Sequence, residues 1–170
     1  MKQAPRTSSS ARGLRVAIVR SLFNRPVTDG LLAGARSALA GMGAAPSRVV
    51  VYDLPGAFEL PLAAQAAARS GRFDAVVALG AVIEGETDHY EHVAREAACG
   101  LAAVARETGV PVAFGVLTVR QEEQARRRAA VGPGNKGGEA ARAAVTTALV
   151  LRSIRTGRAG ARKRAARGRR

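Results

Sequence analysis

The 170 residues carry 27 Lys and Arg against 13 Asp and Glu, a net charge of +14, with 47% hydrophobic residues, 4% aromatic residues and no Trp. That length suits one domain with a full core, and no apolar run approaches the roughly 20 residues of a membrane-spanning helix. The N-terminal MKQAPRTSSSARG is basic but lacks the apolar stretch of a secretory signal, and a lone cysteine, Cys99, fits a reducing, cytoplasmic setting.

In chain order, LRVAIVRS (14–21) reads as an apolar, β-branched strand. VTDGLLAGARSALAGMG (27–43) follows with helical spacing at Leu31, Leu32, Ala35, Leu39 and Met42 and is closed by glycine. SRVVVYD (47–53) is the second strand, and FELPLAAQAAARSG (58–71) is a helix that tolerates Pro61 only in its first turn. FDAVVALG (73–80) is the third strand, residues 88–108 an alanine-rich helix and VPVAFGVLT (110–118) the fourth strand. A short helix starting near Arg120 and a last one from about Gly138 to Ile154 complete the order. Cys99 reads as a small buried helix residue, since its neighbours offer nothing to activate a thiol.

Continuous apolar strands alternating with helices predict a parallel sheet covered on both faces. The expected fold is a three-layer α/β/α sandwich, flavodoxin-like, with a four-stranded parallel sheet over residues 14–154. Residues 1–13 and 155–170 are expected to be disordered basic tails. The charge is concentrated there: residues 1–15 carry four basic residues and 152–170 carry nine, with no acids in either, leaving 14 basic against 13 acidic in between. The C-terminal tail suits a non-specific anionic partner, but a solvated terminus is the plainer reading.

Ligands of such sheets bind beyond the carboxyl ends of the strands, here Ser21–Asn24, Asp53–Glu59, Gly80–His89 and Phe114–Thr118. The stretch GAVIEGETDHYEHVA (80–94) places seven proton-exchanging or hydrogen-bonding side chains among the eight residues Glu84–Glu91 at one such end. Asp88 with Glu91 reads as a capping box that starts the helix. The N–H groups of Glu86 and Thr87 are then free to face an anion, provided that the Glu84 and Glu86 carboxylates turn away. The bland alternative is an ordinary helix start. His89 sits in the first turn, where the helix dipole favours a neutral imidazole suited to proton transfer. His92 lies one turn on, but no third and fourth ligands at a recognisable spacing support a metal.

LPGAFELP (54–61) presents the Phe58 ring and Glu59 carboxylate to the same cleft, the way a flat heterocycle or polyol is held. Phe58 as core filler is an equal reading of that motif alone. GPGNKGGEAA (132–141) lacks the spacing and hydroxyl of a phosphate-binding P-loop, and GMG (41–43) closes a helix instead of opening one, which excludes the dinucleotide fingerprint. The run Arg126, Arg127, Arg128 is either a phosphate clamp or a solvated face.

Taken in order, FN (23–24), PGAFELP (55–61), GAVIEGETDHYEHVA (80–94), PVAFGVLT (111–118) and GNKGGEAA (134–141) resemble lumazine synthase, the 6,7-dimethyl-8-ribityllumazine synthase of riboflavin biosynthesis, across about residues 14–154. The resemblance implies condensation of 5-amino-6-(D-ribitylamino)uracil with 3,4-dihydroxy-2-butanone 4-phosphate, with no metal or organic cofactor. It implies that Phe23 stacks on the pyrimidine, that Ala57, Phe58 and Glu59 hold the ribityl chain, and that Ala81, Val82 and Ile83 line the ring pocket. Glu86, Thr87 and Arg128 fall on the phosphate-binding positions and His89 on the proton-transfer position. Phe114 and Lys136 match positions that reach the site from a neighbouring subunit of a homo-oligomer, which in this family is a pentamer, a decamer or a 60-subunit shell. Glu84 departs from the family, many of whose members carry arginine there. That departure sustains a second reading, a flavin- or ribityl-binding protein, and the basic C-terminal tail sustains a third, a shell-forming scaffold that contacts nucleic acid.

Overall fold

A computed structural model describes residues 9–157. Five helices alternate with four strands: β1 (Val16–Ser21), α1 (Arg25–Gly41), a 3-10 turn at Pro46–Arg48, β2 (Val49–Leu54), α2 (Leu60–Arg69), β3 (Ala75–Ile83), α3 (His89–Thr108), β4 (Val112–Val119), α4 (Glu122–Ala129) and α5 (Lys136–Arg155). All strand pairs are parallel, in the order β2-β1-β3-β4. The expected three-layer α/β/α sandwich is what the chain adopts.

The layers follow from the pleat, which sends successive side chains to opposite faces. Val16 and Ile18 of β1 join Leu31, Ala35, Leu39 and the α5 residues Ala141, Ala144 and Val145 on one face. Ala17 and Val19 join Leu60, Ala64, Leu101 and Val104 from α2 and α3 on the other. Strands covered on both faces have no place for polar alternation, and eight of the nine β3 residues are buried. Pro61 falls in the first turn of α2, as its lack of an N–H requires.

Several boundaries differ from the sequence reading. β3 continues three residues past Gly80, because Ala81, Val82 and Ile83 keep pairing with Leu117, Thr118 and Val119 of β4. Phe114 is the third residue of β4, opposite Ala78, and so lies within the sheet and not at its carboxyl end. Residues 9–13, read as tail, are packed: Ala11 is fully buried, its N–H donates to the Met42 carbonyl, and Ser9 Oγ lies 3.0 Å from Thr146 Oγ1. The remaining tail residues, 1–8 and 158–170, lie outside the described residues. Cys99 is exposed, because α3 turns Ala97, Leu101 and Val104 inward and leaves Cys99 on its outer face.

The order β2-β1-β3 makes the gap between the carboxyl ends of β1 and β3 the switch point, where chain connections leave in opposite directions and a crevice opens.

Candidate active site

A cavity of about 710 Å³ lies at this switch point, lined by the exits of β1, β2 and β3 and the first turn of α3. The exits of β1 and β2 are zipped together: Leu22 N–H donates to the Leu54 carbonyl at 2.7 Å and Phe23 N–H to the Pro55 carbonyl at 3.1 Å. Phe23 therefore stands beside the Pro55–Glu59 turn, 69% exposed at the cavity wall. Phe58 is also exposed, at 59%, which removes the core-filler reading. Two large rings held in water at the mouth of a cavity have no folding reason to be there. Gly56 passes close to the Glu59 carboxylate; a Cβ there would come within 2.8 Å of Oε2.

Asn24 turns the chain from β1 into α1. Its φ of 56° is left-handed, a conformation that Asn tolerates better than most residues. From there its Nδ2 donates to the Ala81 carbonyl at 2.9 Å, crossing the switch point. β1 pairs with β3 only as far as Leu79. Beyond it, the edge of Ala81–Ile83 facing β1 is free of strand partners and borders the cavity.

The turn from β3 into α3 carries the anion-binding candidates. Among the described residues no partner takes the N–H of Glu86 or Thr87. The expected capping box does not form: Asp88 adopts a helical conformation and its carboxylate caps nothing, while its carbonyl accepts from the N–H of Glu91. With Asp88 already helical, the box geometry, which needs an extended cap residue, is lost. Glu84 turns away from this turn, its carboxylate 3.5 Å from Arg120 Nε at the exit of β4. Glu86 is exposed and does not line the cavity; Thr87, His89 and Tyr90 do.

Beneath the site lies a polar anchor that sequence reading missed. Arg20, 6% exposed, donates through Nε and Nη2 to the two carboxylate oxygens of Asp53, both at 2.8 Å, and through Nη1 to Asp29 on α1. Its hydrogen bonds hold the Asp53 carboxyl below the usual carboxylate range and raise the Arg20 guanidinium. The network ties the last turns of β1 and β2 to α1, framing the loop that carries Phe23 and Asn24.

Of the residues singled out from sequence, Phe23, Ala57, Phe58, Glu59, Ala81, Val82, Ile83, Thr87 and His89 share this cavity. Asn24, Tyr90, His92 and Val93 join them without having been assigned a role. Phe114, Arg128 and Lys136 are elsewhere. They line a separate cavity of about 440 Å³ on the flank formed by β4, α4 and α5. Within one protomer Arg128 therefore does not meet Thr87, because α4 carries it to the α1 and α5 face of the sheet. Arg128 donates to the Gln124 carbonyl and Lys136 pairs with Glu139 at 2.7 Å. Among the described residues no three His, Cys, Asp or Glu side chains converge as metal ligands, and no helix is long and apolar enough to cross a membrane.

The fold and cavity define a flavodoxin-like α/β protein with a ligand cleft at the topological switch point, built from aromatic rings, open backbone edges and a helix start. Residues 13–152 match the family model for 6,7-dimethyl-8-ribityllumazine synthase, and the chain belongs to that family. It is thus a transferase of riboflavin biosynthesis.

Proposed function

We propose that this chain condenses 5-amino-6-(D-ribitylamino)uracil with 3,4-dihydroxy-2-butanone 4-phosphate to give 6,7-dimethyl-8-ribityllumazine, the penultimate step of riboflavin biosynthesis. The observation that carries the reading is the grouping of two exposed rings, an unpaired pair of N–H groups and His89 around one cavity. Phe23 stacks on the pyrimidine while the backbone of Ala81–Ile83 holds its edge. Ala57, Phe58 and Glu59 take the ribityl chain, and the N–H groups of Glu86 and Thr87 hold the phosphate.

The substrate amine adds to the ketone and water leaves as the imine forms. Elimination then expels the phosphate, the ribitylamino nitrogen closes the ring and a second water departs. Atoms balance without an external oxidant or reductant. His89 accepts and returns the protons, an effect worth roughly 10²–10⁴-fold for a positioned acid–base group. Holding two reactants in register supplies up to about 7–11 kcal/mol of the barrier.

The separation of Phe114, Arg128 and Lys136 from the first cavity supports a site completed between copies of a homo-oligomer, each lending its flank to a neighbour's cleft. Arg128 and Lys136 bring the cations that the lining of the first cavity lacks for a phosphate. Glu84 no longer favours a merely ligand-binding protein, since its carboxylate faces Arg120 and not the Glu86–Thr87 turn. The test is growth of lumazine absorbance with both substrates, for the wild type, His89→Ala and Arg128→Ala. Turnover falls in both variants, with a raised KM for the phosphate substrate in Arg128→Ala; no wild-type turnover above the spontaneous reaction would overturn the reading.

A further inference from the structure

A parallel sheet flanked by antiparallel helices sorts the chain into two poles, one with the strand exits and one with the strand entries and helix carboxyl ends. The ionic residues are sorted with it. The exit pole carries Asp53, Glu59, Glu84, Glu86, Asp88 and Glu91 around the cleft, against Arg20, Arg25 and Arg120, which are paired with carboxylates there. At the entry pole stand Arg12 and Arg15 before β1, Arg48 before β2 and Arg72 before β3, all exposed. The last turns of three helices add Arg69, Arg106, Arg152 and Arg155, also exposed. Only Asp74 and Glu107 oppose these eight arginines, and both are engaged, Asp74 with the Arg15 N–H at 2.7 Å and Glu107 with Arg69 at 3.5 Å. A near-neutral body thus has one strongly basic end.

Arginine near helix ends is ordinarily a complement to the helix dipole, and Arg72 stacks on the Phe73 ring, but Arg12 and Arg15 lie outside helix ends and need another account. Two hydrogen bonds and a shared cavity gather the pole into one surface. Arg48 Nη1 donates to the Gly13 carbonyl, Arg155 Nη2 donates to the Gly109 carbonyl, and a cavity of about 300 Å³ joins Leu14, Asp74 and Gly109 to Arg152. The guanidinium groups of Arg12, Arg15, Arg106 and Arg152 make no hydrogen bond or ion pair among the described residues. The described chain ends at this pole, at Gly157, and the sequence that follows, 158–170, holds seven cations, six of them arginine, and no acid.

We infer that this pole is a nucleic-acid-binding surface, whose exposed arginines grip a phosphate backbone without reading sequence. Arginine suits that partner, because its planar fork pairs phosphate oxygens two at a time. The 158–170 segment has alanine as its only apolar residue, so it lacks the bulky apolar face with which an interfacial helix enters a lipid surface. The surface lies at the far end of the sheet from the cleft, so the inference does not depend on the proposed reaction.

The full-length protein is titrated against a fluorescein-labelled DNA duplex of arbitrary sequence, over rising salt, by fluorescence anisotropy. The wild type binds, with log K falling linearly against log salt. Truncation after Gly157 weakens binding but leaves a salt-dependent remainder. In the full chain, the triple variant Arg15→Gln, Arg106→Gln, Arg152→Gln flattens the slope by about 2–3 and raises Kd roughly tenfold or more. A cooperative thermal transition in that variant shows that it has folded. A triple variant that binds as the wild type does overturns the inference. So does a wild type that ignores the duplex, whether or not it binds vesicles of phosphatidylcholine and phosphatidylglycerol in equal parts; vesicle binding would assign the pole to a lipid surface.

Discussion

The side-chain amide of Asn24 donates to the main-chain carbonyl of Ala81 across 2.9 Å, bridging the ends of β1 and β3 where the sheet's connections diverge. The bond sets the width of the cleft, because Phe23 precedes Asn24 and the open edge of β3 follows Leu79. Its donor comes from a residue in the left-handed region, so backbone and side chain are constrained together. Asn24→Gly keeps the backbone conformation and loses the bond, costing about 1 kcal/mol. Asn24→Ala adds the strain of alanine at positive φ, about 1–2 kcal/mol more. Urea denaturation of both variants checks the order, and lumazine formation should fall in both. Equal stability of the two would mean that the left-handed geometry imposes nothing.

The two separated cavities make a sharper claim on assembly. If a neighbour's flank completes the cleft, His89→Ala and Lys136→Ala variants damage different halves of the same site. Co-assembled from denatured subunits, the two regain activity, since some junctions pair an intact cleft with an intact flank. About a quarter of wild-type turnover is expected from equal, random mixing at independent junctions. Recovery of none, while each variant still assembles by light scattering, would place the whole site inside one chain.

Arg20 and Asp53 link the site to acid stability. The Asp53 carboxyl is held below its unfolded value chiefly by its hydrogen bonds from Arg20. A carboxyl depressed in the folded state stabilises the fold above the unfolded pKa of about 3.9, and that contribution drains away as pH falls through the folded value. Asp53→Asn should therefore cost stability at neutral pH, and the gap to the wild type should close below about pH 4. The cost is about 1–2 kcal/mol, below that of a fully buried pair, because the Asp53 side chain is 43% exposed and Asp29 still faces Arg20. Denaturation midpoints for both proteins across that range decide it; a gap that stays constant into acid would assign the cost to packing.

The alternation of strands and helices was legible because buried parallel strands are apolar throughout and their covering helices repeat at helical spacing. Phe58 was not assignable from its motif, since the same ring could fill a core or wall a cleft, and only its exposure decides. Arg20 was invisible for the opposite reason: one arginine in an apolar strand carries no mark of the two carboxylates that fold around it, one on α1 and one on β2. Arg128 could be taken from the family resemblance, but not its distance from Thr87, because that depends on where α4 travels after β4. The basic pole escaped a reading that counted charge along the chain, as its arginines are scattered in sequence and meet only through the topology.

The segment that failed as a P-loop has a packing role that can be tested directly. Asn135 is 2% exposed and caps α5, accepting from Gly138 N–H while its Nδ2 donates to the carbonyls of Gly30, Ala129 and Ala130. One side chain thus joins α1, the end of α4 and the start of α5. The helices approach closely enough that a Cβ on Gly137 would lie 2.0 Å from the Leu31 carbonyl oxygen, a main-chain atom that cannot swing aside. Gly137→Ala must therefore push α5 away from α1, at a cost of about 3 kcal/mol, or roughly 6–12 °C in Tm. The shift would also displace the adjacent Lys136, so turnover should drop beyond what stability explains. Gly134→Ala is the control: nothing lies within 4 Å of its added Cβ. A calorimetric scan in which both variants melt with the wild type would show that α1 and α5 have room to spare, and would falsify the close packing on which the position of Lys136 rests.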